Sequence, residues 1–268
     1  MPDSGSPAGM TQLLRYTLRV LRYTVPMSTL AQRRHHIYKK RWHIFFAFSL
    51  ILLPILFFAG FSHFAHIAIQ TLFANIGISL ARIALAYLIS VVLGWSLAVL
   101  LYRGRASTVA LPFFDVMQSL PTPALLPMAI LYWGKTDFTV VFFLVLAIMW
   151  PIFFSVMSSL KLIKSEYAEA IIIYNVTGWK KIRYFLWPAS IPGLITGSIV
   201  GLGNGWEALV ATEIIVGIGF GLGSFFQKFS TNGEITVFGI LGILMIIFTI
   251  NKMVWLPLLE RSHSLSED

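Results

Sequence analysis

The amino-acid sequence predicts an all-α membrane protein with six transmembrane helices. The third is broken by proline, and a cytoplasmic amphipathic helix lies between the fourth and fifth. Three observations carry this expectation. The 268 residues are 57% hydrophobic and 12% charged, with a mean hydropathy of +0.79; an ordinary soluble domain has roughly 45–50% apolar and about 25% charged residues. Nearly uncharged runs recur at the length of about 20 residues that a bilayer-crossing helix needs. The Lys and Arg residues, finally, collect on one side of those runs.

The first span is Ile44 to Ser62, which has no Asp, Glu, Lys or Arg and follows Lys39-Lys40-Arg41 directly. The second runs from about Leu72 to Tyr102, interrupted by Arg82 and stopped by Arg103 and Arg105. The third covers about Val109 to Trp133 and contains Pro121, Pro123 and Pro127. Proline removes a helix hydrogen bond and clashes with the preceding turn. Within a membrane that is tolerated where protein or water meets the freed carbonyls, so a broken helix facing protein is expected. The fourth span is Phe138 to Leu160 and the fifth about Pro188 to Val216. The fifth carries Gly193, Gly197, Gly201, Gly203 and Gly205, and small residues let helices approach closely, which predicts a central position. Gly217 to Gly233 reads as a loop and Ile235 to Leu258 as the sixth span.

With the N-terminus inside, seventeen Lys and Arg residues fall on the cytoplasmic side. They lie in the tail, at Arg103 and Arg105, in the interval 161–187, and at Lys252 and Arg261; Lys135 and Lys228 are the two outside. This asymmetry predicts that both termini are cytoplasmic. The organisation is then a basic tail over residues 1–43, a membrane domain over 44–260 with its large cytoplasmic loop at 161–187, and a C-terminal tail at 261–268. The tail has no apolar run of signal-peptide length. It reads as an anchor for the first span, or as a segment lying on an anionic leaflet. The net charge of +9 is spread over separate segments, which argues against a nucleic-acid partner.

No enzyme chemistry is predicted. The chain has no cysteine, which removes disulfides, thiolate metal sites and a Cys nucleophile. The stretch Gly217 to Gly223 is glycine-rich but lacks the lysine and the strand context of a phosphate loop. His63 and His66 have no carboxylate or thiolate companions and make a weak metal site. No catalytic residue, metal site or cofactor is therefore assigned to this chain. Ionisable residues inside spans are functional candidates by default. Here they are Arg82, Asp115, Glu207 and Glu213. Each reads as part of a polar translocation path or as a helix-to-helix hydrogen bond, and Arg82 sits near enough to a span end to snorkel. The candidate path residues are Gln118, Pro121 and Pro127 of the third span and Asn204, Glu207 and Glu213 of the fifth.

The interval Lys161 to Trp187 places Tyr167, Ala170, Ile171 and Tyr174 on one helical face, and Trp179, Ile182, Phe185 and Leu186 at similar spacing. Asn175 and Gly178 between them tolerate a left-handed turn. Pro188 ends the motif. An exposed apolar face on this loop calls for a protein partner or the membrane surface.

At these residues the sequence resembles the permease subunits of binding-protein-dependent ABC importers. The cytoplasmic signature of that family is E-A-A-x-x-x-G followed by a Leu-Pro. Glu169-Ala170-Ile171, Asn175 and Trp187-Pro188 stand in those places, with Ile171 for the second alanine and Asn175 for the glycine. Ser79-Leu80-Ala81-Arg82, the run Pro121 to Pro127 followed by Trp133-Gly134, and Ile191-Pro192-Gly193 through Gly197, Trp206 and Glu213 also look like the nitrate, sulfonate and taurine branch. The likeness covers roughly residues 70–260.

The resemblance implies a subunit of a bacterial inner-membrane importer. Two permease halves, this chain with a copy of itself or a similar chain, enclose the pore. ABC ATPase subunits use ATP in the cytoplasm, and a periplasmic or surface solute-binding protein delivers a small organic or inorganic anion such as a sulfonate, nitrate or bicarbonate. Glu169, Ala170, Ile171, Tyr174, Asn175, Gly178 and Trp179 would form the coupling helix against the ATPase. Loops 63–71, 134–137 and 217–233 would receive the binding protein. The competing expectation is a self-sufficient secondary transporter or channel, favoured by inverted repeats and a second interrupted span; neither is visible in the sequence.

Overall fold

The computed structural model describes Ser49 and residues 51–162, 177–255 and 257–258. The chain divides into two units, residues 1–53 and 54–268, and the described residues belong almost entirely to the second. They are all-helical, with no strand among them. In chain order the helices are α1 (Ile51–Phe64), α2 (Ile69–Leu101), α3 (Gly104–Gln118), α4 (Thr122–Trp133), α5 (Asp137–Lys161), α6 (Gly178–Val216), α7 (Leu222–Lys228) and α8 (Gly233–Trp255). Four of them, α2, α5, α6 and α8, are long and apolar enough to cross a membrane; α1 and α4 are apolar but shorter.

The helix at the centre is α5. Over its most apolar stretch 56% of residues are buried, against 39% in α6, 28% in α2 and 22% in α8. Val140, Leu144, Ile148, Ile152, Phe153 and Val156 are fully buried along it. The expectation that the glycine-rich fifth span is central is therefore shifted by one helix: α6 supplies the close approach and α5 the core. Gly193, Gly197, Gly201 and Gly205 recur every fourth residue and so share one face of α6. That face lies on α5. A methyl group at Gly197 would stand 2.6 Å from the Ile152 Cα, and one at Gly201 2.8 Å from the Ile148 carbonyl oxygen. Only a bare backbone fits these positions. Hydrogen bonds then tie neighbouring helices: Ser90 Oγ donates to the Val145 carbonyl (3.1 Å), Ser159 Oγ to the Ala189 carbonyl (2.8 Å) and Trp95 Nε1 to Ser190 Oγ (2.8 Å).

Three element boundaries differ from the expectation. The third span corresponds to two helices, α3 and α4, separated by residues 119–121; α3 begins at Gly104, ahead of Val109. Pro121 stands at the N-cap of α4 and Pro123 follows at its second position, where a missing N–H costs nothing. Pro188 does not end a helix. Residues Ile182–Leu186 form a π turn, and the helix continues through Pro188 to Val216. A wider turn next to the proline accommodates the ring and the missing donor. The predicted loop 217–233 contains the short helix α7, whose Phe225 ring lies 6.1 Å from Phe61 of α1. Gly217, at φ 65°, closes α6 in the left-handed conformation.

Candidate functional site

Two polar sites are built on α6, six residues apart. The first is a clasp at the end closed by Gly217. Glu213 is fully buried, and every oxygen of its carboxylate is bonded. Ser79 Oγ of α2 donates to both oxygens (2.7 and 3.0 Å), Arg82 Nη1 to Oε1 (2.6 Å) and the Gly223 N–H to Oε2 (2.8 Å). Arg82 is itself 7% exposed and satisfied in two further directions. Its Nε and Nη2 reach Asp137 Oδ1 at 2.8 and 2.6 Å, and Nη1 also donates to the Phe220 carbonyl (2.9 Å). The loop after α6 closes over this pair. The Gly221 N–H donates to Asn75 Oδ1 (2.8 Å) and the Leu222 N–H to Ser79 Oγ (2.8 Å).

A charge buried among helices is tolerated when it is paired and its remaining hydrogen-bonding positions are filled. The clasp meets both conditions. Its glycines are required by distance, since a methyl group at Gly221 would lie 2.5 Å from Glu213 Oε1 and one at Gly223 2.5 Å from its Cβ. The glycine-rich stretch does cradle an anion, but that anion is the chain's own carboxylate. Arg82 is bridged between the buried Glu213 and the exposed Asp137.

The second site is a cavity of about 370 Å³ at the break between α3 and α4. Gln118, Thr122 and Pro123 form one wall, Ala147, Trp150 and Pro151 another, and Asn204 and Glu207 the third. Residues 146–151 lie near the middle of α5, so the cavity sits half-way along the bundle's central helix. Phe114 holds α3 in place, its ring 5.5 Å from Trp150 and 5.2 Å from Phe153. Glu207 is exposed and has no ion-pair partner among the described residues. No Lys, Arg or His is among the described residues that line the space. Gln118 Nε2 donates to Asp115 Oδ1 (2.8 Å), which leaves the Gln118 oxygen as an acceptor. Pro151 has no N–H to give the Ala147 carbonyl four residues earlier, and Pro127 none for that of Pro123.

Of the residues singled out in the sequence, the structure thus brings Gln118, Asn204 and Glu207 together around one space. Pro121 and Pro127 are outside its lining, although Thr122 and Pro123 beside them are part of it. Glu213 sits apart, in the clasp. Glu169, Ala170, Ile171, Tyr174 and Asn175 lie outside the described residues. Gly178 adopts the left-handed φ of 60° expected of a turn. Trp179 is 74% exposed, while Leu186, assigned to the same apolar face, is buried against the bundle. Sequence reasoning missed Asn75, Asp137 and Trp150. Asn75 and Asp137 sit near helix starts, where polar residues are ordinary, and a tryptophan within an apolar run looks like any other core residue.

Fold and site together define a polytopic membrane protein with a cavity, apolar except for Gln118, Thr122, Asn204 and Glu207, half-way along its central helix. Residues 90–262, more than half of the chain, match the family described as binding-protein-dependent transport system inner membrane component, and the chain belongs to that family. It is 30% identical over 151 residues to a nitrate import permease protein of Synechocystis, covering 55% of this chain and 54% of that protein. It is 26% identical over 155 residues to a bicarbonate transport system permease protein of Synechococcus elongatus (56% of each chain). It is 28% identical over 156 residues to a taurine transport system permease protein of Escherichia coli (56% of each chain). The chain spans somewhat over half the length of these curated relatives. The resemblance read from the motifs is borne out.

Proposed function

We propose that this chain is the permease subunit of an ABC importer and forms half of a translocation pore for a small solute. The observation that carries this is the cavity itself, a space half-way along α5, walled by α6 and the α3–α4 break, into whose largely apolar lining Gln118, Thr122, Asn204 and Glu207 bring polar groups. A stable helical bundle gains nothing from an unpaired carboxylate facing such a space, whereas a solute path needs polar groups there. Gln118, Asn204 and Glu207 are then path residues. Six spans are proposed, with α3 and α4 as one proline-broken third span, in a bacterial inner membrane with both termini cytoplasmic. The 17-to-2 distribution of Lys and Arg supports that orientation.

The partners are an ABC ATPase that hydrolyses ATP, a second permease half, and a solute-binding protein at the outer loops. An apolar groove of about 950 Å³ between α6, α7 and α8, lined by Trp206, Phe226 and Ile243, supports pairing with a second half. The segment carrying Glu169, Ala170, Ile171, Tyr174, Asn175, Gly178 and Trp179 couples the pore to the ATPase. The exposed Trp179, at the start of α6, favours this role. Push at that segment would travel along α6 to the cavity.

The test is affinity purification of the chain from gently solubilised native membranes, followed by mass spectrometry. An ATPase subunit in stoichiometric amount is expected. A stable complex without any ATPase would overturn the importer reading and favour a self-sufficient transporter. In the purified complex, Glu169→Lys should abolish ATP-driven uptake while membrane insertion is unchanged. Normal uptake by that variant would remove Glu169 from the coupling role.

A further inference from the structure

We infer that the solute carried past Glu207 bears a positively charged nitrogen, such as a protonated amine, and is not a bare inorganic oxyanion. The inference rests on the importer reading and narrows its cargo.

The chemistry of the cavity points one way. Its single charged lining residue is Glu207, which is exposed, stands on the edge the cavity shares with the apolar groove between α6, α7 and α8, and is unpaired among the described residues. Asp115 stands one hydrogen bond behind the lining, through Gln118. The Gln118 amide is turned so that it gives its N–H to Asp115, which presents an acceptor to the cavity side. Prolines at 127 and 151 leave the carbonyls of the lining residues Pro123 and Ala147 without a helix donor. Asn204 and Thr122 can donate as well as accept. The one formal charge in this lining is negative, with no Lys, Arg or His among the described lining residues to offset it.

Charges interact more strongly in a space screened by protein than in water. A nitrate or bicarbonate ion entering here would meet a like charge. An ammonium group would meet an opposite charge, the Glu207 carboxylate. The relatives' cargoes frame the contrast: nitrate and bicarbonate are bare oxyanions, while taurine carries an ammonium beside its sulfonate. Such an amino-sulfonate type of cargo, or a wholly cationic organic solute, fits this chain's cavity. In an assembly with a second copy the carboxylate is doubled, and the preference is sharpened.

The test uses the complete complex, purified with its ATPase, second permease half and binding protein, in proteoliposomes. A mixture of nitrate, bicarbonate, ethanesulfonate, taurine, ethanolamine and choline is supplied outside, and ATP-dependent accumulation is read by mass spectrometry. Taurine and ethanesulfonate differ by the ammonium alone. Accumulation of amine-bearing solutes over their amine-free counterparts by tenfold or more is expected. Glu207→Gln should lower that selectivity at least tenfold, and Glu207→Asp should largely retain it; a merely structural role would not move the ratio. Accumulation of nitrate, bicarbonate or ethanesulfonate with a ratio unaffected by Glu207→Gln would overturn the inference and leave the importer reading standing. Loss of a subunit from the Glu207→Gln complex on size exclusion would also overturn it, by assigning Glu207 to assembly. Absence of ATP-driven accumulation of every component would bring down the importer reading, and the inference with it.

Discussion

Glu207 and Glu213 lie on the same helix, six residues apart, and have opposite surroundings. At about 100° per residue they point roughly 120° apart around α6. Glu213 faces α2 and the returning loop, and its carboxylate is filled by Ser79, Arg82 and Gly223. Glu207 stands between the cavity and the apolar groove, with no basic residue among the described lining of the cavity. The difference teaches that an acidic residue in a span does not mark a solute path by itself. What separates these two carboxylates is whether the protein has supplied donors. The clasp is a closed hydrogen-bonding circuit that stabilises the fold, and the cavity is an open one.

The clasp is broken most severely at its centre. Arg82→Ala leaves the Glu213 carboxylate buried without its cation, and removing one partner of a buried pair costs about 3–5 kcal/mol. A large drop in melting temperature of the purified complex is the expected outcome, while the isosteric Glu207→Gln should leave it almost unchanged. Equal destabilisation by both would erase the contrast between the two carboxylates.

Next in size is the α5–α6 seam. Gly197→Leu places a side chain where a single methyl group already comes within 2.6 Å of the Ile152 Cα, and overpacking of this kind costs about 1–3 kcal/mol or more. Gly203→Ala, two residues from Gly205 but on an open face with nothing within 4 Å, should be neutral or slightly stabilising. Thermal unfolding of the two variants side by side reads the orientation of the glycine face directly.

Ser79→Ala removes a hydroxyl that donates to Glu213 and accepts from the Leu222 N–H. Leaving buried partners unsatisfied costs about 1–3 kcal/mol. Faster amide exchange at residues 221–223 is the specific sign to look for. Asp137→Asn should have the smallest effect. Its side chain is 73% exposed, and a surface partner is worth about 0–1 kcal/mol. A melting temperature shift as large as that of Arg82→Ala would mean that Asp137, not Glu213, holds the arginine.

Much of this was legible in the sequence, and the remainder was hidden for physical reasons. The second and fourth spans are long apolar runs stopped by Arg103 and Lys161, and the helices α2 and α5 end within two residues of those charges. Polar residues in apolar surroundings identified Gln118, Asn204 and Glu207. The start of α6 was obscured because Pro188 is an ordinary stop signal, and only the π turn before it lets the helix continue. The short α7 was concealed by the glycines around it, which serve the clasp. Ser79, Arg82 and Glu213 were each noticeable, but Arg82 and Glu213 are separated by 131 residues, and no local pattern pairs them. The swap of centrality between α5 and α6 follows the same logic: glycines announce close contact but cannot say which of the two helices is enclosed.

The most direct test of the two-carboxylate account uses the absence of cysteine from the chain, so that any thiol reaction reports an introduced site. Asn204→Cys, Glu207→Cys and Leu209→Cys variants of the assembled complex would be treated in membranes with a water-soluble, charged methanethiosulfonate reagent. Reaction at positions 204 and 207, with none at the fully buried position 209, is the predicted result. Protection at 204 and 207, or equal labelling at all three, would contradict it.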